Sequence, residues 1–401
     1  MSIKNQHSKA AGIFLLCEGL PPSVIESQVL THAHSMNKNG ICMEVWAFAV
    51  TRHAYVEAIN SLPRLSNAYS IIIKVFRGVK PALPFSEWLN ALLLVWWMWW
   101  FNAKPPFIHA RTEHAATIAA IVKKFKNYHL IWDARGDTLS EFRETVRNWS
   151  RFWKWLAPFK ERAIANRLKI AASHCYFAFF VSNALRDLQG GSLPTEKTLI
   201  MPCLADESLF FYSPELRSDI REKLAYKKED IVIVYVGSTA LWQCIPETVA
   251  LMKQALRANQ AIKALIVTPN KIAFESLFEP ELRDRVCITS GRLKEINYYL
   301  NAADFGVLIR KLDPINWVAS PVKFAEYSLT GLTVITTDAV EQVKEIGQKL
   351  GNIINVNDFL NQYVECDISQ KNRLAISYKA KDYLGREKYI KLFTESYNKS
   401  I

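Results

Sequence analysis

Residues 304–338 read DFGVLIRKLDPINWVASPVKFAEYSLTGLTVITTD, and this stretch decides the fold. Two apolar runs, DFGVLIR and LTVITTD, have the composition of buried strands, and SPVKFAEYSLTG between them has the pattern of a helix. We expect Ser320 to cap this helix, Pro321 to occupy its first turn and Gly331 to end it. A strand, a helix and a second strand in this order predict parallel pairing through a crossover.

The same alternation continues on the N-terminal side of this stretch. In the second half of the chain the other predicted strands are DIVIVYVGS, AIKALIVT and RVCITSG. In the first half they are GIFLLC, MEVWAFAV, YSIIIKVF, FIHAR, HLIWDAR and YFAFFVS. Two consecutive alternating series predict an α/β protein with two doubly wound, Rossmann-like domains, and a ligand cleft that faces the carboxyl ends of both sheets.

Turn-forming residues cluster between Gly190 and Asp206, where the first series ends. We therefore expect a first domain over residues 1–195 and a second domain over residues 196–379. The remaining residues, 380–401, have a helical pattern up to Tyr397 and form the last predicted element.

Charge is distributed unevenly over the 401 residues. The whole chain has 50 Lys and Arg against 38 Asp and Glu, a net charge of +12. Residues 1–199 hold 24 basic and 13 acidic side chains together with ten of the 12 tryptophans, whereas residues 200–401 hold 26 basic and 25 acidic ones. Half of all residues are hydrophobic, which excludes a disordered chain. The basic half predicts nucleic acid, a membrane surface or an acidic ligand as partner.

Seven cysteines are scattered without a C-x-x-C pair or a histidine at zinc-binding spacing. We therefore expect no disulfide framework and no metal site, and a reducing cytoplasm as the location. The apolar run from Gly12 to Leu16 is too short for a signal peptide and indicates a first strand. The longest apolar run, ALLLVWWMWWF at residues 91–101, has about half the roughly 20 residues that a membrane-spanning helix needs.

Two aromatic segments of the first half indicate a membrane-facing surface. The segment Trp96 to Phe101 begins with four tryptophans in five positions, and tryptophan favours the headgroup level of a bilayer. Residues 143–169 hold eight basic and two acidic residues with three tryptophans between them, which suits a helix on an anionic membrane. Nucleic-acid binding and burial in a homodimer are the alternatives. The apolar character of Trp96–Phe101 favours the membrane over nucleic acid.

Lys323 is the most unusual residue of the predicted helix at 320–331. The first turn of a helix is already electropositive, so a cation there is unfavourable unless an anion binds beside it. Alternatively, Lys323 pairs with Glu326 one turn later on the same face. Glu326 itself either accepts hydrogen bonds from ribose hydroxyls or is a favourable charge in a first turn. Spacing alone leaves both alternatives open.

Three further candidates lie at the ends of strands in the second half. Gly237 and Ser238 end the strand DIVIVYVGS, and a glycine at this position lets the backbone approach a phosphate closely. Arg310 ends the strand DFGVLIR, and its guanidinium is a candidate to bind a phosphate through two hydrogen bonds.

Strand ends of the first half carry another group of polar residues. Asp133, Arg135 and Gly136 follow the strand HLIW, at the edge where ligands bind in open sheets. His109 and Arg111 end the preceding strand, FIHAR. The adjacent opposite charges also have a simpler interpretation, namely pairing with each other or with Arg111, and a single histidine is more often structural than catalytic.

The second half resembles the nucleotide-sugar-binding half of the bacterial group 1, or family 4, retaining glycosyltransferases of GT-B fold. The resemblance is carried by VYVGSTALWQ, NYYLNAADFGVLIR and ASPVKFAEYSLTGLTVITT, and most specifically by the spacing P-x-K-x-x-E-Y-x-x-x-G. In the first half it includes GLPPSVIESQVL, IHARTEHAA, IWDARGDTLSEF and FVSNAL. MPCLADESLF is similar to the family's interdomain connection.

This resemblance implies transfer of a hexosyl-type sugar from a nucleoside diphosphate, with retention and without a bound metal or cofactor. The implied donor site consists of Gly237, Ser238, Arg310, Ser320, Lys323 and Glu326, with Glu326 on the ribose and Lys323 on the diphosphate. The implied catalytic residues are His109, Asp133 and Arg135, and the implied acceptor side contains Arg111, Gly136 and Glu141. The terminal helix, 380–401, would cross back to the first domain.

The chain departs from the family pattern in two places. Val318 stands where the first of the family's two glutamates is expected, and TALWQC replaces a stretch that usually carries an arginine and a lysine. We expect Arg310 and Lys323 to supply the missing positive charge. The leading hypothesis is a cytoplasmic enzyme on the inner face of the plasma membrane that extends a lipid-linked saccharide in surface polysaccharide synthesis. A GT-B nucleotide-sugar epimerase and a non-catalytic nucleotide-sugar-binding protein are the alternatives.

Overall fold

The computed structural model describes residues 11–20, 25–81, 83, 85–191 and 193–399. Parts of GLPPSVIESQVL and of the predicted connection after Gly190 lie outside these residues. The chain divides into two compact units. The first unit comprises residues up to Met201 together with those from Tyr389 onward, and the second unit comprises Pro202–Lys388.

The first unit contains a seven-stranded sheet in the order β3-β2-β1-β4-β5-β6-β7, and every strand pair is parallel. The two central strands, Gly12–Leu16 and Phe107–Arg111, are buried along their whole length, as expected for a sheet covered by helices on both sides. The strands are β1 (Gly12–Leu16), β2 (Met43–Ala49), β3 (Ile73–Arg77), β4 (Phe107–Arg111), β5 (His129–Ala134), β6 (Phe177–Phe180) and β7 (Thr198–Ile200).

Helices connect these strands, and a π-helical turn over Glu26–Leu30 precedes the first of them. The helices of this part of the chain are α1 (Thr31–Lys38), α2 (Arg52–Tyr69), α3 (Ser86–Trp100), α4 (Thr112–Val122), α5 (Thr138–Arg147), α6 (Arg151–Lys154), α7 (Ala157–His174) and α8 (Asn183–Gln189). Within the described ranges, no helix combines the length and the apolar character that a membrane crossing requires.

The second unit contains a six-stranded parallel sheet in the order β10-β9-β8-β11-β12-β13. Residues 304–338 form a strand, a short helix, a second helix and a strand, and the two strands pair in parallel as the sequence predicts. The strands are β8 (Ile231–Val236), β9 (Ile262–Val267), β10 (Val286–Thr289), β11 (Phe305–Leu308), β12 (Thr333–Thr336) and β13 (Ile353–Asn355).

The remaining helices surround this sheet and end the chain. They are α9 (Pro214–Lys223), α10 (Ile245–Ala258), α11 (Lys271–Glu275), α12 (Leu293–Ala302), α13 (Pro314–Trp317), α14 (Val322–Leu329), α15 (Glu341–Leu350), α16 (Phe359–Gln362), α17 (Gln370–Leu384) and α18 (Arg386–Asn398). Short 3₁₀ turns lie at Thr195–Lys197, Leu241–Gln243, Pro280–Arg285 and Tyr363–Glu365.

Two boundaries differ from those drawn on the sequence. The units divide after Met201 and not after residue 195, because β7 pairs with β6 and so belongs to the first sheet. The segment 380–401 is not one helix, because α17 ends before Gly385 and α18 begins after it. The Glu207 carboxylate accepts hydrogen bonds from the backbone N–H groups of Arg386 and Glu387 (2.7 and 2.8 Å), which caps the new helix.

Gly331 ends α14 as the sequence predicts, with φ +70° in the left-handed region. A Cβ at this position would overlap the backbone of Arg373, whose carbonyl carbon would lie 2.9 Å away. Gly351, which ends α15, has nearly the same φ (+69°) but has no atom within 4 Å of a Cβ. An alanine at Gly351 would therefore cause backbone strain alone, whereas an alanine at Gly331 would cause the same strain and a steric overlap as well.

We expect Gly351→Ala to lower the free energy of unfolding by about 1 kcal/mol, the cost of a left-handed alanine. Gly331→Ala should lower it by about 2–4 kcal/mol, because the backbone of Arg373 must also move. Urea unfolding followed by circular dichroism measures both values. Equal losses in the two variants would contradict the packing of α17 against the end of α14.

Candidate functional site

The centre of the second sheet is the place where its strand order reverses. Strands β8 and β11 are neighbours, but the chain adds β9 and β10 on one side of β8 and β12 and β13 on the other side of β11. Ligands of open parallel sheets bind beyond the carboxyl ends of strands at such a switch point. Gly237 follows β8 directly and Arg310 follows β11 by two residues, so two predicted donor-site residues lie there.

Gly237 permits a lysine to lie against the loop that follows β8. Its φ is +147°, and a Cβ would overlap Lys323 Nζ and lie 2.8 Å from Lys323 Cε. Lys323 Nζ also lies 4.3 Å from the centre of the Tyr235 ring. Tyr235 Oη donates a hydrogen bond to the carbonyl oxygen of Ser238 (2.7 Å), which holds the loop in place. The close approach of a phosphate to Gly237 stays a prediction, and the group that lies against Gly237 in the structure is the Lys323 side chain.

Gln243 joins the two predicted cations. Its Oε1 accepts a hydrogen bond from Lys323 Nζ at 2.6 Å and another from Arg310 Nη2 at 3.2 Å. Arg310 is held further by its Nη1, which donates to the Ile309 carbonyl (2.9 Å). Among the residues that the structure describes, neither cation forms an ion pair with a carboxylate. Two basic side chains therefore converge on one amide oxygen, and no carboxylate of a described residue is paired with either of them.

Burial, and to a smaller extent the nearby Arg310 charge, lower the pKa of Lys323 to about 7, although Glu326 opposes the shift. The pKa of Arg310 is also lowered, mainly by burial. Each cation makes the charged form of the other less favourable. A bound anion would reverse this effect, because it would interact favourably with both.

Ser320 does not cap the helix that carries Lys323. Helix α14 begins at Val322 with Pro321 at the N-cap position and no side-chain cap, so Lys323 is its second residue. The Ser320 hydroxyl instead accepts a hydrogen bond from the backbone N–H of Cys203 (2.7 Å). Ser320 thus ties the start of the second unit to the loop before α14.

Glu326 and Lys323 do not form the ion pair that is the simpler alternative, because Lys323 Nζ is directed to Gln243. The Glu326 carboxylate accepts no hydrogen bond from any residue within the described ranges. Burial raises the pKa of Glu326 to about 7, against the effect of Lys323. Val318, at the position of the family's first glutamate, is buried and apolar. The hydrogen bonds from ribose hydroxyls to Glu326 that the resemblance implies stay a prediction.

The first sheet has its own switch point, between β1 and β4. Arg111 ends β4, and its Nε donates to Glu18 Oε1 at 2.6 Å, just beyond β1. The Arg111 side chain is almost fully buried, and its Nη1 makes no hydrogen bond to a described residue. Thr112 follows with φ +69°, which is strained for a β-branched residue. Glu18 follows the end of β1 by two residues, as Arg310 follows the end of β11. A search for polar residues just after strand ends would therefore have identified Glu18 from the sequence.

His109 and Asp133 lie in the interior of the first unit, with no exposed part of either side chain. His109 Nε2 is 3.3 Å from an Asp133 oxygen, and Arg135 Nε is 2.8 Å from the same carboxylate. Burial lowers the pKa of His109. Burial would raise the pKa of Asp133, but Arg135 and then His109 hold it well below its usual value. The predicted catalytic set is thus brought together, but only Arg135 reaches the surface.

A tyrosine at the end of the chain completes this buried group. Tyr397 Oη lies 2.5 Å from His109 Nδ1 and 2.8 Å from His32 Nε2, and all three residues are buried. Sequence reasoning did not include His32 or Tyr397, because no local pattern connects residues so far apart in the chain. This geometry gives His109 and Asp133 a positioning role: they join β4 and β5 to α1 and α18.

The remaining predicted acceptor residues lie around the start of α5. The Gly136 carbonyl accepts a hydrogen bond from Gln189 Nε2 (3.1 Å), and a Cβ on Gly136 would lie 3.0 Å from Glu141 Oε1. Partial desolvation raises the pKa of Glu141, and the carboxylates of Glu113 and Asp137 add to this shift. Within the described ranges, no group of three His, Cys, Asp or Glu side chains is arranged to hold a metal ion.

No protein-family model matches the chain, and no curated protein sequence matches it. Solved structures do match. Anabaena Alr3699/HepE in complex with UDP has a TM-score of 0.71 at 14% sequence identity, covering 97% of this chain and 100% of that one. The apo form of the lipopolysaccharide outer core galactosyltransferase WaaB has a TM-score of 0.66 at 11% identity, covering 97% and 100%.

A putative UDP-N-acetylglucosamine 2-epimerase from Listeria monocytogenes also matches, with a TM-score of 0.55 at 10% identity over 94% of this chain and 93% of that one. At these identities the likeness concerns the fold. The chain has the α/β architecture of GT-B glycosyltransferases, with two doubly wound parallel sheets.

The buried group around Tyr397 predicts a stability effect. Tyr397→Phe removes the hydroxyl between His32 and His109 and leaves a buried ring nitrogen of each without this partner. We expect the free energy of unfolding to fall by about 1–3 kcal/mol. Urea unfolding measures the loss, and Tyr378→Phe on an exposed face of α17 is the control that should change it by less than about 0.5 kcal/mol. Similar values for the two variants would contradict the role of Tyr397.

Proposed function

We propose that the protein is a metal-independent, retaining glycosyltransferase that moves a hexosyl-type sugar from a nucleoside diphosphate to a lipid-linked saccharide. The observation that carries this proposal is the convergence of Lys323 and Arg310 on the Gln243 amide oxygen at the switch point of the second sheet. Two cations without a carboxylate partner, next to a glycine at a strand end, are suited to a diphosphate.

In the proposed reaction, the bond between the sugar C1 and the β-phosphate oxygen breaks and the acceptor hydroxyl oxygen bonds to C1. The hydroxyl proton passes to the departing diphosphate oxygen, so charge and atoms balance. Negative charge grows on the diphosphate as it leaves, and preorganised cations stabilise this charge more than that of the intact donor. Lys323 and Arg310 take this role, and Glu326 accepts hydrogen bonds from the ribose hydroxyls.

The solved structures support a uridine nucleotide as the first donor to test. Alr3699/HepE was crystallised with UDP and with UDP-glucose. WaaB is a galactosyltransferase of the lipopolysaccharide outer core, and WaaG is a glycosyltransferase of lipopolysaccharide biosynthesis. These properties belong to those proteins. For the present chain they make a UDP-sugar donor and a surface-glycan acceptor the leading choices.

An epimerase acting on the nucleotide sugar alone is the second candidate, and the Listeria match supports it. The two activities differ in their need for an acceptor, since an epimerase changes the UDP-sugar when no lipid or saccharide is present. Incubation of the protein with UDP-sugars, with and without a membrane lipid extract, distinguishes them. Release of UDP only in the presence of the extract supports the transferase.

The donor site predicts a charge-dependent loss of nucleotide binding. Lys323→Ala should weaken UDP binding by roughly 10- to 150-fold, the loss of charge-assisted hydrogen bonds to a diphosphate. Lys349→Ala, which removes an exposed lysine that pairs with Glu345 on its own helix, is the matched control and should leave binding unchanged. Isothermal titration calorimetry measures both. Equal affinity of the Lys323→Ala variant and the unchanged protein would refute the proposed site.

The lowered pKa of Lys323 predicts how UDP binding depends on pH. The diphosphate prefers the protonated lysine, so affinity should fall as pH rises through about 7. Glu326→Gln removes the carboxylate that raises this pKa, so the fall should begin at lower pH in that variant. The pH dependence of UDP binding to the Lys323→Met variant shows the contribution of UDP ionisation, and it is subtracted from the pH profile of the unchanged protein. A difference profile that is flat across neutral pH, or one that rises, would contradict the assignment of Lys323 to the diphosphate.

A further inference from the structure

Helix α3 presents an apolar surface to solvent along its whole length. The most exposed side chains are Phe85 (75% exposed), Trp99 (68%), Leu92 (66%) and Trp100 (63%), with Trp88, Leu89 and Trp96 between them. These residues lie three or four positions apart or are adjacent, which places them on one side of a helix about 22 Å long. We call this set the α3 aromatic face. Contiguous apolar patches of this kind on a folded surface mark interaction sites.

The opposite side of α3 is firmly packed in the first unit. Asn90 both accepts a hydrogen bond from the Val79 N–H (2.8 Å) and donates one to the Val79 carbonyl (3.0 Å). Trp97 turns inward and stacks on Phe76, with ring centres 4.7 Å apart. Met98 is buried. The sequence does not distinguish Trp97 from its neighbours, but the structure does: Trp97 belongs to the packed side and Trp96, Trp99 and Trp100 to the exposed one.

The aromatic face carries no charge of its own. Glu87 is the charged residue of α3, and its carboxylate pairs with Arg167 of α7. Arg167 Nη2 also donates to the Pro81 carbonyl at 2.8 Å, so this ion pair fixes the start of α3. The charge is therefore neutralised at the base of the helix, and the outward side is left wholly apolar.

Cations border the aromatic face. Lys124 Nζ lies 5.9 Å from the Trp88 ring centre. Lys74 Nζ lies 4.6 Å from the Phe101 ring centre, but it is mostly buried and pairs with Glu44 (2.5 Å), so it does not belong to the exposed cationic border. Exposed Phe125 stands between Lys124 and Lys126, both exposed as well. Aromatic side chains bordered by lysine suit the boundary between headgroups and acyl chains, where rings are buried and ammonium groups meet lipid phosphates.

We propose that the α3 aromatic face is a docking surface for an anionic phospholipid membrane. Tryptophan prefers the headgroup region because its ring is apolar and its N–H stays hydrated. Charge complementarity favours the membrane over a second copy of the chain, since residues 1–199 carry 24 basic against 13 acidic residues, and two net-positive halves repel each other but are attracted to anionic lipid. The inference concerns the first unit alone and does not depend on the proposed activity.

A second segment also combines exposed aromatic side chains with cations. Trp153, Trp155 and Phe159 are exposed, and Arg151 and Lys154 stand between and beside them. This segment leads into α7, whose Arg167 binds Glu87 of α3. Its cations add long-range attraction to anionic lipid, whereas the aromatic face of α3 provides insertion. Attraction and insertion are separable, because salt weakens the first and not the second.

The test is sedimentation of the full chain with vesicles of phosphatidylcholine, alone or mixed with phosphatidylglycerol. We expect binding to the mixed vesicles at low salt. Trp99→Ser/Trp100→Ser should weaken it at least about tenfold, because both rings lose their apolar contact. Trp242→Ser/Trp317→Ser, which removes two exposed tryptophans of the second unit, is the matched control and should leave binding unchanged.

A second variant, Lys124→Glu/Lys126→Glu, tests the cationic border without altering the aromatic side chains and should reduce binding to the mixed vesicles. Static light scattering of each variant shows whether the face joins two copies instead. Absence of binding to the mixed vesicles at low salt would overturn the proposal. So would unchanged binding of both variants, or a dimer that Trp99→Ser/Trp100→Ser converts to a monomer.

Discussion

Parallel strand pairing is the constraint on which both units depend. A parallel neighbour can be reached only through a crossover, and crossovers in one sheet share one hand. Each sheet starts at an inner strand and grows first to one side and then to the other. The connections on the two sides therefore lie on opposite faces, and they leave the carboxyl ends of the two central strands uncovered. The candidate residues of both units are found at these openings.

The cations at the two openings differ in the groups that they contact. In the first unit, Arg111 faces Glu18, so its charge is compensated. In the second unit, Lys323 and Arg310 share the amide oxygen of Gln243. An amide accepts hydrogen bonds without cancelling charge, whereas a carboxylate at the same place would neutralise the cations and occupy them. Gln243 thus orients two basic groups without neutralising them, at the cost of their mutual repulsion, which contributes to the lowered pKa of Lys323.

The fold could be predicted from the sequence because each central strand is a short, nearly continuous apolar run, which directly reflects burial on both faces of a sheet. The short strand β7 has no such signal, since its three residues are only partly buried, and the first boundary was therefore drawn too early. At the site, strand ends identified Gly237, Arg310 and Arg111. The partner of Ser320 lies 117 residues away, and no local pattern reveals it.

Local sequence patterns also do not reveal how deeply each candidate side chain is buried. His109 and Arg111 are two residues apart on one strand, and the strand end suggests a similar role for both. In the structure His109 is enclosed between Phe14, Phe179 and Tyr397, whereas Arg111 reaches the carboxyl edge of the sheet. Gln243 stands in TALWQC, a stretch that the sequence marks only by its lack of charge. Its importance comes from two cations that the fold brings to it from distant parts of the chain.

The position of Tyr397 also bears on how the protein matures during synthesis. The first unit is built mostly from the first half of the chain, yet two of its buried histidines contact a hydroxyl that is translated after the whole second unit. While the ribosome is still making the second unit, the first one has its sheet but lacks α18, and the site of Phe393 and Tyr397 stands open. Completion of the first unit therefore waits until the second unit has been synthesised, and a chain that is cut before α18 exposes this defect to quality control.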